Sequence, residues 1–449
     1  MKRMMLPLIS LCCIQPVWAS ESISLQAAVE QALQHAPALR AEQAARDAAQ
    51  ENIVLGKAQL LPYVSVSGSF QQEKQQFIYD KPISFLRSNI NNRKISYGIQ
   101  LVQPLFDLSK WSLYQQGQLA AASADLKLAV QRQQTTLQAA SAWLDVLRSH
   151  VALDAAQKNE QAMQSLAKKA DLAFNIGLSS INESLAASSR FDLAKAARIR
   201  VANAALQAQA NLDSLLGHAV HVDAYIPADF HPLPLQPNDL EAWKKITAEQ
   251  SLNIQLAEEK TKLVDKQYMQ ALGSAMPTVQ LIAGWNKNQA SDGSFGGSSV
   301  KTSVIGIELN APLYAGGALS AKRRQAVDNK LQSDYQVAEA KRSTRLRTQQ
   351  IWLALQSGWD ELSALQHAKK SGEEALKASQ IGLEVGLRTL NDVMDSQQRL
   401  ASTQQAYADA LAHYVMSWLQ LQALANHLDD SDLSHLDILV KRNGILDQL

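Results

Sequence analysis

Cysteine is almost absent: the two present, Cys12 and Cys13, both fall within residues 1–19. The rest of the chain therefore offers no disulfide and no thiolate chemistry. Long apolar runs are also missing. After residue 19 nothing approaches ~18 consecutive apolar residues, which excludes a helical membrane anchor. Charge of one sign is not in excess, since 43 Lys and Arg face 42 Asp and Glu. A near-neutral chain gives no global attraction for nucleic acid or for an acidic partner. No H-E-x-x-H, P-loop or nucleophile elbow is found, so catalytic and nucleotide-driven functions lack their usual signatures. No cofactor is implied.

The first residues read as a leader. Lys2 and Arg3 precede the mostly apolar segment Met4 to Val17, and Val17-Trp18-Ala19 reads as a cleavage site before Ser20. Removing residues 1–19 shifts the formal charge from +1 to −1. Leu11 precedes Cys12, and Cys12 precedes Cys13, so neither cysteine sits in a lipobox. The chain is thus expected to be exported without a lipid anchor.

Internal similarity divides the remainder in two. Ser24-Leu25-Gln26-Ala27-Ala28 resembles Asp239-Leu240-Glu241-Ala242-Trp243 at an offset of 215, and each is followed 38 residues later by a proline, Pro62 or Pro277. Gln103-Pro104-Leu105-Phe106 pairs with Ala311-Pro312-Leu313-Tyr314 at an offset of 208. Phe174-Asn175-Ile176-Gly177-Leu178 pairs with Leu383-Glu384-Val385-Gly386-Leu387 at an offset of 209. The expected organisation is a first repeat over 20–216, a connector over 217–238 rich in proline, a second repeat over 239–427 and a tail over 428–449. The smaller proline-to-proline spacing in the second repeat predicts a longer hairpin connection in the first.

Each repeat reads as a helix, a strand pair, a very long helix, a glycine break and another long helix. Strand pairs are expected at about 62–104 and 277–312. Val64, Val66, Gly68 and Phe70 alternate with Tyr63, Ser65, Ser67 and Ser69, and Ile95, Tyr97, Ile99 and Leu101 alternate with Ser96, Gly98 and Gln100. Val279, Leu281, Ala283 and Trp285 repeat the pattern, as do Ile305, Ile307 and Leu309 against Gly306, Glu308 and Asn310. Period two gives one apolar and one polar face, which for a single strand equally suits a soluble sandwich. Polar residues 89–93 and 291–299 read as hairpin loops. From Leu105 to Asn175 there is no proline and one glycine, Gly117, enough for a helix of ~100 Å. Leu313 to Leu383 is comparable, and Ser179 to Leu216 and Thr389 to His427 contain neither breaker. Helices of that length require partner helices throughout.

Four strands cannot close a barrel, and lipid does not tolerate an open sheet edge. Strands of this kind in a membrane imply an oligomer: two copies give eight strands, three give twelve with room for a lumen.

Two segments carry a family resemblance: Ala311-Pro312-Leu313-Tyr314-Ala315-Gly316-Gly317, and Gly386-Leu387-Arg388-Thr389-Leu390-Asn391-Asp392-Val393-Met394-Asp395. With the duplication, they resemble the TolC family of outer-membrane efflux and type I secretion channels. The resemblance implies a mainly α fold with β: a trimer whose protomers each give four strands to a shared 12-stranded outer-membrane barrel, continued by a long periplasmic α-helical barrel. It also implies partners: an inner-membrane transporter, with the ABC type favoured by the glycine-pair junction and the missing lipobox, and a periplasmic adaptor. Cargo would be exported protein, or small molecules if the channel serves drug efflux. On this resemblance Asp392 and Asp395 match paired aspartates at the periplasmic constriction, where six carboxylates would favour cations and could bind a blocking divalent ion. The alternative for these acids is dipole complementation at a helix start. Arg388, Asn182 and Glu183 match gate positions, Leu383 stands where the family's gate has a tyrosine, and Gly177 and Gly386 match turns at the tips.

Other readings fare worse. His218, His221 and His231 with Asp223 and Asp229 suggest a metal site but lack a compact ligand motif, and read instead as a solvated linker. Lys322-Arg323-Arg324 and Lys341-Arg342 read as a solvated or tunnel-lining helix face. A periplasmic adaptor also uses a long helical hairpin, but one hairpin, whereas this chain duplicates hairpin and strand pair together.

Overall fold

A computed structural model describes residues 23–76, 78, 80, 89–223, 230–293 and 296–441. The leader with both cysteines, Pro227 and Asp229 lie outside the described residues. The elements are α1 (Leu25–His35), α2 (Pro37–Ala58), β1 (Tyr63–Gln76), β2 (Asn89–Phe106), α3 (Leu108–Asn175), α4 (Ile181–Leu216), α5 (Leu240–Gln250), α6 (Leu252–Gly273), β3 (Thr278–Ala290), β4 (Ser298–Asn310), α7 (Ala318–Glu384), α8 (Leu390–Leu424) and α9 (Asp430–Lys441).

Where one helix was expected at the head of each repeat, there are two. Pro37 opens α2 after a break at Ala36, as proline suits a first helical position. The second repeat breaks at Ser251, the same place at the 215 offset, without a proline.

The chain forms two compact units. One holds the sheet together with α6 and parts of α2, α3, α5 and α7. Its sheet is antiparallel throughout, in the order β1-β2-β3-β4. Residues 89–93 and 298–299, expected in loops, are strand: Gln72↔Arg93 and Gln76↔Asn89 continue the ladder through residues with no apolar period. Backbone pairing persists there although side-chain alternation has ended. The intervening connections are residues 77–88 and 291–297, longer in the first repeat. Pro104, expected at a strand–helix junction, lies inside β2, where the β2–β3 register shifts between Pro104 and Phe106, a place that tolerates a missing donor.

Registered pairs share a face, so Val64, Val66 and Phe70 align with Leu101, Ile99 and Ile95; Leu101 and Ile99 continue to Ala283 and Trp285, and Ala283 to Ile305. This apolar face is uncovered: Val66 is 80% exposed, Ile305 79% and Ile307 71%. Ser96 and Gly98, on the polar face, are half-buried. A water-soluble sheet would keep such an apolar face against its core.

Beneath the sheet the helices of this unit approach closely. A Cβ at Gly117 would stand 2.3 Å from the Asn52 carbonyl, so α2 and α3 meet at backbone distance there. Ser109 Oγ donates to Gln270 O at 3.1 Å, tying α3 to α6. Lys341 pairs with Glu258 at 2.8 Å and Lys330 with Asp265 at 2.7 Å, tying α6 to α7.

The other unit collects α1, α4, α8, α9 and the remaining helical segments. Leu25, Trp143, Leu147, Phe230, Leu411 and Leu436 gather in one apolar core around a void of about 10 Å³. The tail contains α9, whose Asp437 accepts from Leu25 N at 2.7 Å and Gln26 N at 3.2 Å, satisfying donors at the start of α1. The connector is not a solvated linker. Val222, Phe230 and Leu233 are buried, and Leu233 N donates to Tyr414 Oη at 3.1 Å. Trp418 and Trp243 donate to the Pro234 and Pro237 carbonyls. Prolines have acceptors but no donor, so indole and backbone N–H groups supply the partners.

Candidate functional site: the two helix reversals and the start of α8

Two reversals, α3 to α4 and α7 to α8, share one construction. Gly177 (φ 76) and Gly386 (φ 75) adopt the left-handed conformation that ends each first helix. Leu178 N bonds Ala173 O at 2.8 Å and Leu387 N bonds Gly382 O at 2.7 Å. Gly177 N bonds Phe174 O at 2.9 Å and Gly386 N bonds Leu383 O at 3.2 Å. These are the two bonds of a Schellman termination, which needs glycine because a side chain disfavours that φ.

The following helices start on hydroxyl caps. Ser180 Oγ accepts from Glu183 N at 3.3 Å. Thr389 Oγ1 accepts from Asp392 N at 3.2 Å, while the Asp392 carboxylate accepts from Thr389 N at 2.9 Å and from Thr389 Oγ1 at 2.9 Å. The second start is thus a reciprocal capping box. The Thr389 N–H, then its hydroxyl, hold the Asp392 pKa below the usual carboxylate value, with Arg388 and Arg399 acting in the same sense and desolvation against it.

Asp395 lies three residues further on, on the same side of α8. It forms an ion pair with Arg190 of α4. Below the reversals, Met163 and Leu166 of α3, Ala187 and Ala194 of α4, and Val393 and Met394 of α8 form a buried core. Leu383 packs against it, an apolar role in place of the bond a tyrosine would make.

The structure therefore brings Asp392 and Asp395 together at the first turns of α8, with Arg388 just before the cap. Asn182 and Glu183 occupy the first turn of α4 and are exposed. Among the described residues neither Arg388 nor Glu183 has an ion-pair partner within the protomer. Arg190 was not singled out from the sequence. The repeat register could have found it: at the 209 offset it matches Arg399, and it stands seven residues after Glu183, on the same helical face. Of the histidines, His218 lies near His35 and His221 near His150, with ring centroids 6.5 and 6.3 Å apart. Among the described residues no group of three or more His, Cys, Asp or Glu could hold a metal ion.

A sheet with an exposed apolar face and two free edges, continuous with duplicated helical hairpins, defines an outer-membrane channel-tunnel protein with a large periplasmic portion. The chain belongs to the family described as Outer membrane efflux protein, whose profile matches residues 28–218 and 245–427. This is a class of transport proteins, not enzymes. Its channels are trimeric and partner with inner-membrane transporters and periplasmic adaptors. The chain is 25% identical over 438 residues to outer membrane protein TolC of Escherichia coli K12, covering 93% of this chain and 85% of that one. It is 24% identical over 426 residues to the proteases secretion protein PrtF of Dickeya chrysanthemi, covering 93% and 91%. In fold it is similar to the CmeC outer membrane channel of Campylobacter jejuni, with a TM-score of 0.77, 13% identity and 97% of both chains covered.

Proposed function

We propose that three copies of this chain form the exit duct of a type I protein secretion system, working with an ABC transporter and an adaptor. Three four-stranded sheets supply twelve strands, and the apolar face that each leaves uncovered meets lipid while the Ser, Gln, Gly and Asn face lines a wet lumen. That uncovered face with two unpaired edges is the observation that carries the reading. The service assignment rests on relatives named for protease secretion, PrtF and AprF of Pseudomonas aeruginosa. It is supported further by the Tyr314-Ala315-Gly316-Gly317 junction, whose glycines have φ 58 and 83. Drug efflux is the second reading, favoured by similarity to the Brucella suis efflux protein BepC.

Asp392 and Asp395 form the entrance constriction, with Arg388, Asn182 and Glu183 at the contacts that hold it shut and Gly177 and Gly386 turning the chain. The halves 20–216 and 239–427 act as equivalent arms on either side of connector 217–238, after loss of leader 1–19. Conductance in planar bilayers tests this, with and without divalent cations, beside the Asp392→Ala/Asp395→Ala variant. A cation-preferring pore, blocked by divalents in the parent and less in the variant, is expected. A pore with unchanged selectivity and block removes the carboxylates from the constriction, and a well-folded trimer without conductance refutes the duct. Deleting the chain should abolish export of a protein and leave drug susceptibility unchanged; the reverse result assigns it to efflux.

A further inference from the structure

One row of the sheet breaks the apolar face. Gly68, Tyr97, Lys287 and Lys301 stand directly opposite one another across β1, β2, β3 and β4. The row toward the helices is Val66, Ile99, Trp285 and Ser303, and the next is Val64, Leu101, Ala283 and Ile305. The lysines therefore end the apolar run on β3 and β4, where Gln289 and Ser299 follow, while on β1 and β2 it resumes one row further with Phe70 and Ile95. Lys287 Nζ lies 5.8 Å from the Tyr97 ring centroid, and the Tyr97 and Trp285 rings are 6.0 Å apart. Aromatic rings with polar edges gather at the level of lipid headgroups.

Two cations directly opposite on neighbouring strands repel each other. Among the described strand residues no carboxylate on their own face relieves this. The strands contain two carboxylates, Glu73 and Glu308, and the register puts both on the polar face. Glu73 is held by Lys94 at 2.7 Å and Glu308 by Gln280 at 3.0 Å. Neither Lys287 nor Lys301 has an ion-pair partner among the described residues. Arg93 and Lys74 continue the basic surface toward the loops on the same face. No described strand residue supplies the counter-charge, and the pair sits where the apolar run of β3 and β4 ends.

We propose that Lys287 and Lys301, beside Tyr97, bind the phosphate of an outer-leaflet lipid headgroup on the outside of the barrel. The inference rests on the reading that the apolar face meets lipid. Lysine suits the task because its long apolar stem lies along the band while its ammonium reaches the headgroup layer. The phosphate bridges the like-charged pair, and the acyl chains cover Val66, Ile99 and Trp285.

The test uses the full-length assembled protein in detergent, titrated with a bisphosphorylated glucosamine lipid or the same lipid without phosphates. Retained lipid is counted by native mass spectrometry. Preferential retention of the phosphorylated lipid is expected. Lys287→Gln/Lys301→Gln should weaken it roughly 10- to 30-fold, on the scale of two basic side chains at an anionic surface, while Lys287→Arg/Lys301→Arg retains it. Inorganic phosphate at equal concentration should not displace the lipid; displacement would reduce the site to a bare anion site and overturn the lipid assignment. Equal retention of both lipids, or no effect of the glutamine pair, also overturns it. Each sample is checked for trimer and conductance. A protein that conducts but shows no phosphate preference fails this proposal alone, whereas one that neither conducts nor retains lipid fails the membrane reading beneath it. If the glutamine pair does not assemble, Lys301→Gln alone is measured, with about a fivefold loss expected.

Discussion

Replacing Arg190 with glutamine should make the entrance more cation-selective and easier to block with divalent ions. In a trimer the constriction would hold Asp392 and Asp395 from each copy, and Arg190 covers Asp395 in each. Removing the three guanidinium groups uncovers three carboxylates. In water, a unit charge about 6 Å away contributes ~0.7 kcal/mol to a monovalent cation. A Debye length of about 8 Å at physiological ionic strength leaves roughly half of that. Three carboxylates then add ~1 kcal/mol for K⁺ and ~2 kcal/mol for Mg²⁺, about fivefold and roughly thirtyfold in occupancy. Folding should survive, because the pair is partly exposed, 31% and 48%, and such pairs contribute ~0–1 kcal/mol. The assay is single-channel conductance under a KCl gradient with a Mg²⁺ titration. Arg190→Gln should lower the half-blocking concentration by about one order of magnitude or more, the effect shrinking in 1 M salt, where screening falls to about 3 Å. An unchanged or higher half-blocking concentration would refute the reasoning, since it would mean that Arg190 and Asp395 do not face the ion path.

Asp392→Ala removes the acceptor for Thr389 N–H, so amides in the first turn of α8 should exchange faster than in the parent, with α4 unaffected as internal reference. The folded Asp392 titrates below its ordinary 3.8, so its contribution is complete above that value and is lost as pH falls through the lower folded one. Acid-induced fraying of α8 in the parent, absent in the variant, checks the sign. Asp437→Ala leaves the Leu25 and Gln26 N–H groups without their acceptor and should destabilise the unit by about 1–3 kcal/mol, read as a lower melting temperature and faster proteolysis of α9.

The long helices were legible because breakers are scarce in them: between Leu108 and Asn175 there is no proline, and Gly117 is the one glycine. Strand faces were legible from period two, and the two reversals from glycines whose positive φ the structure requires. What was not legible depends on partners distant in sequence. The helix α9 gains its reason from Asp437 meeting the start of α1, more than 400 positions away. The connector looked solvated by composition, yet Tyr414, Trp418 and Trp243 bind its backbone. The start of β2, Asn89 to Arg93, is polar apart from Ile90 and carries no alternation, because a ladder needs only backbone groups. Arg190 escaped notice because an ion pair between helices has no local spacing rule.

The order β1-β2-β3-β4 places the seam between the two repeats at β2–β3, joining the last strand of one half to the first strand of the next. Closing a ring from three chains would join β4 to the β1 of a neighbour, again a last strand to a first. Internal and external seams are then the same kind of junction, and six copies of a half-length ancestor would close the same ring. Fusion frees alternate hairpins to diverge. At the 209 offset Asp395 faces Ala186, so this acid is carried by every second hairpin only. A ring of six identical halves would have to place it at all six positions or at none, whereas in a trimer of fused halves its charge would change in steps of three.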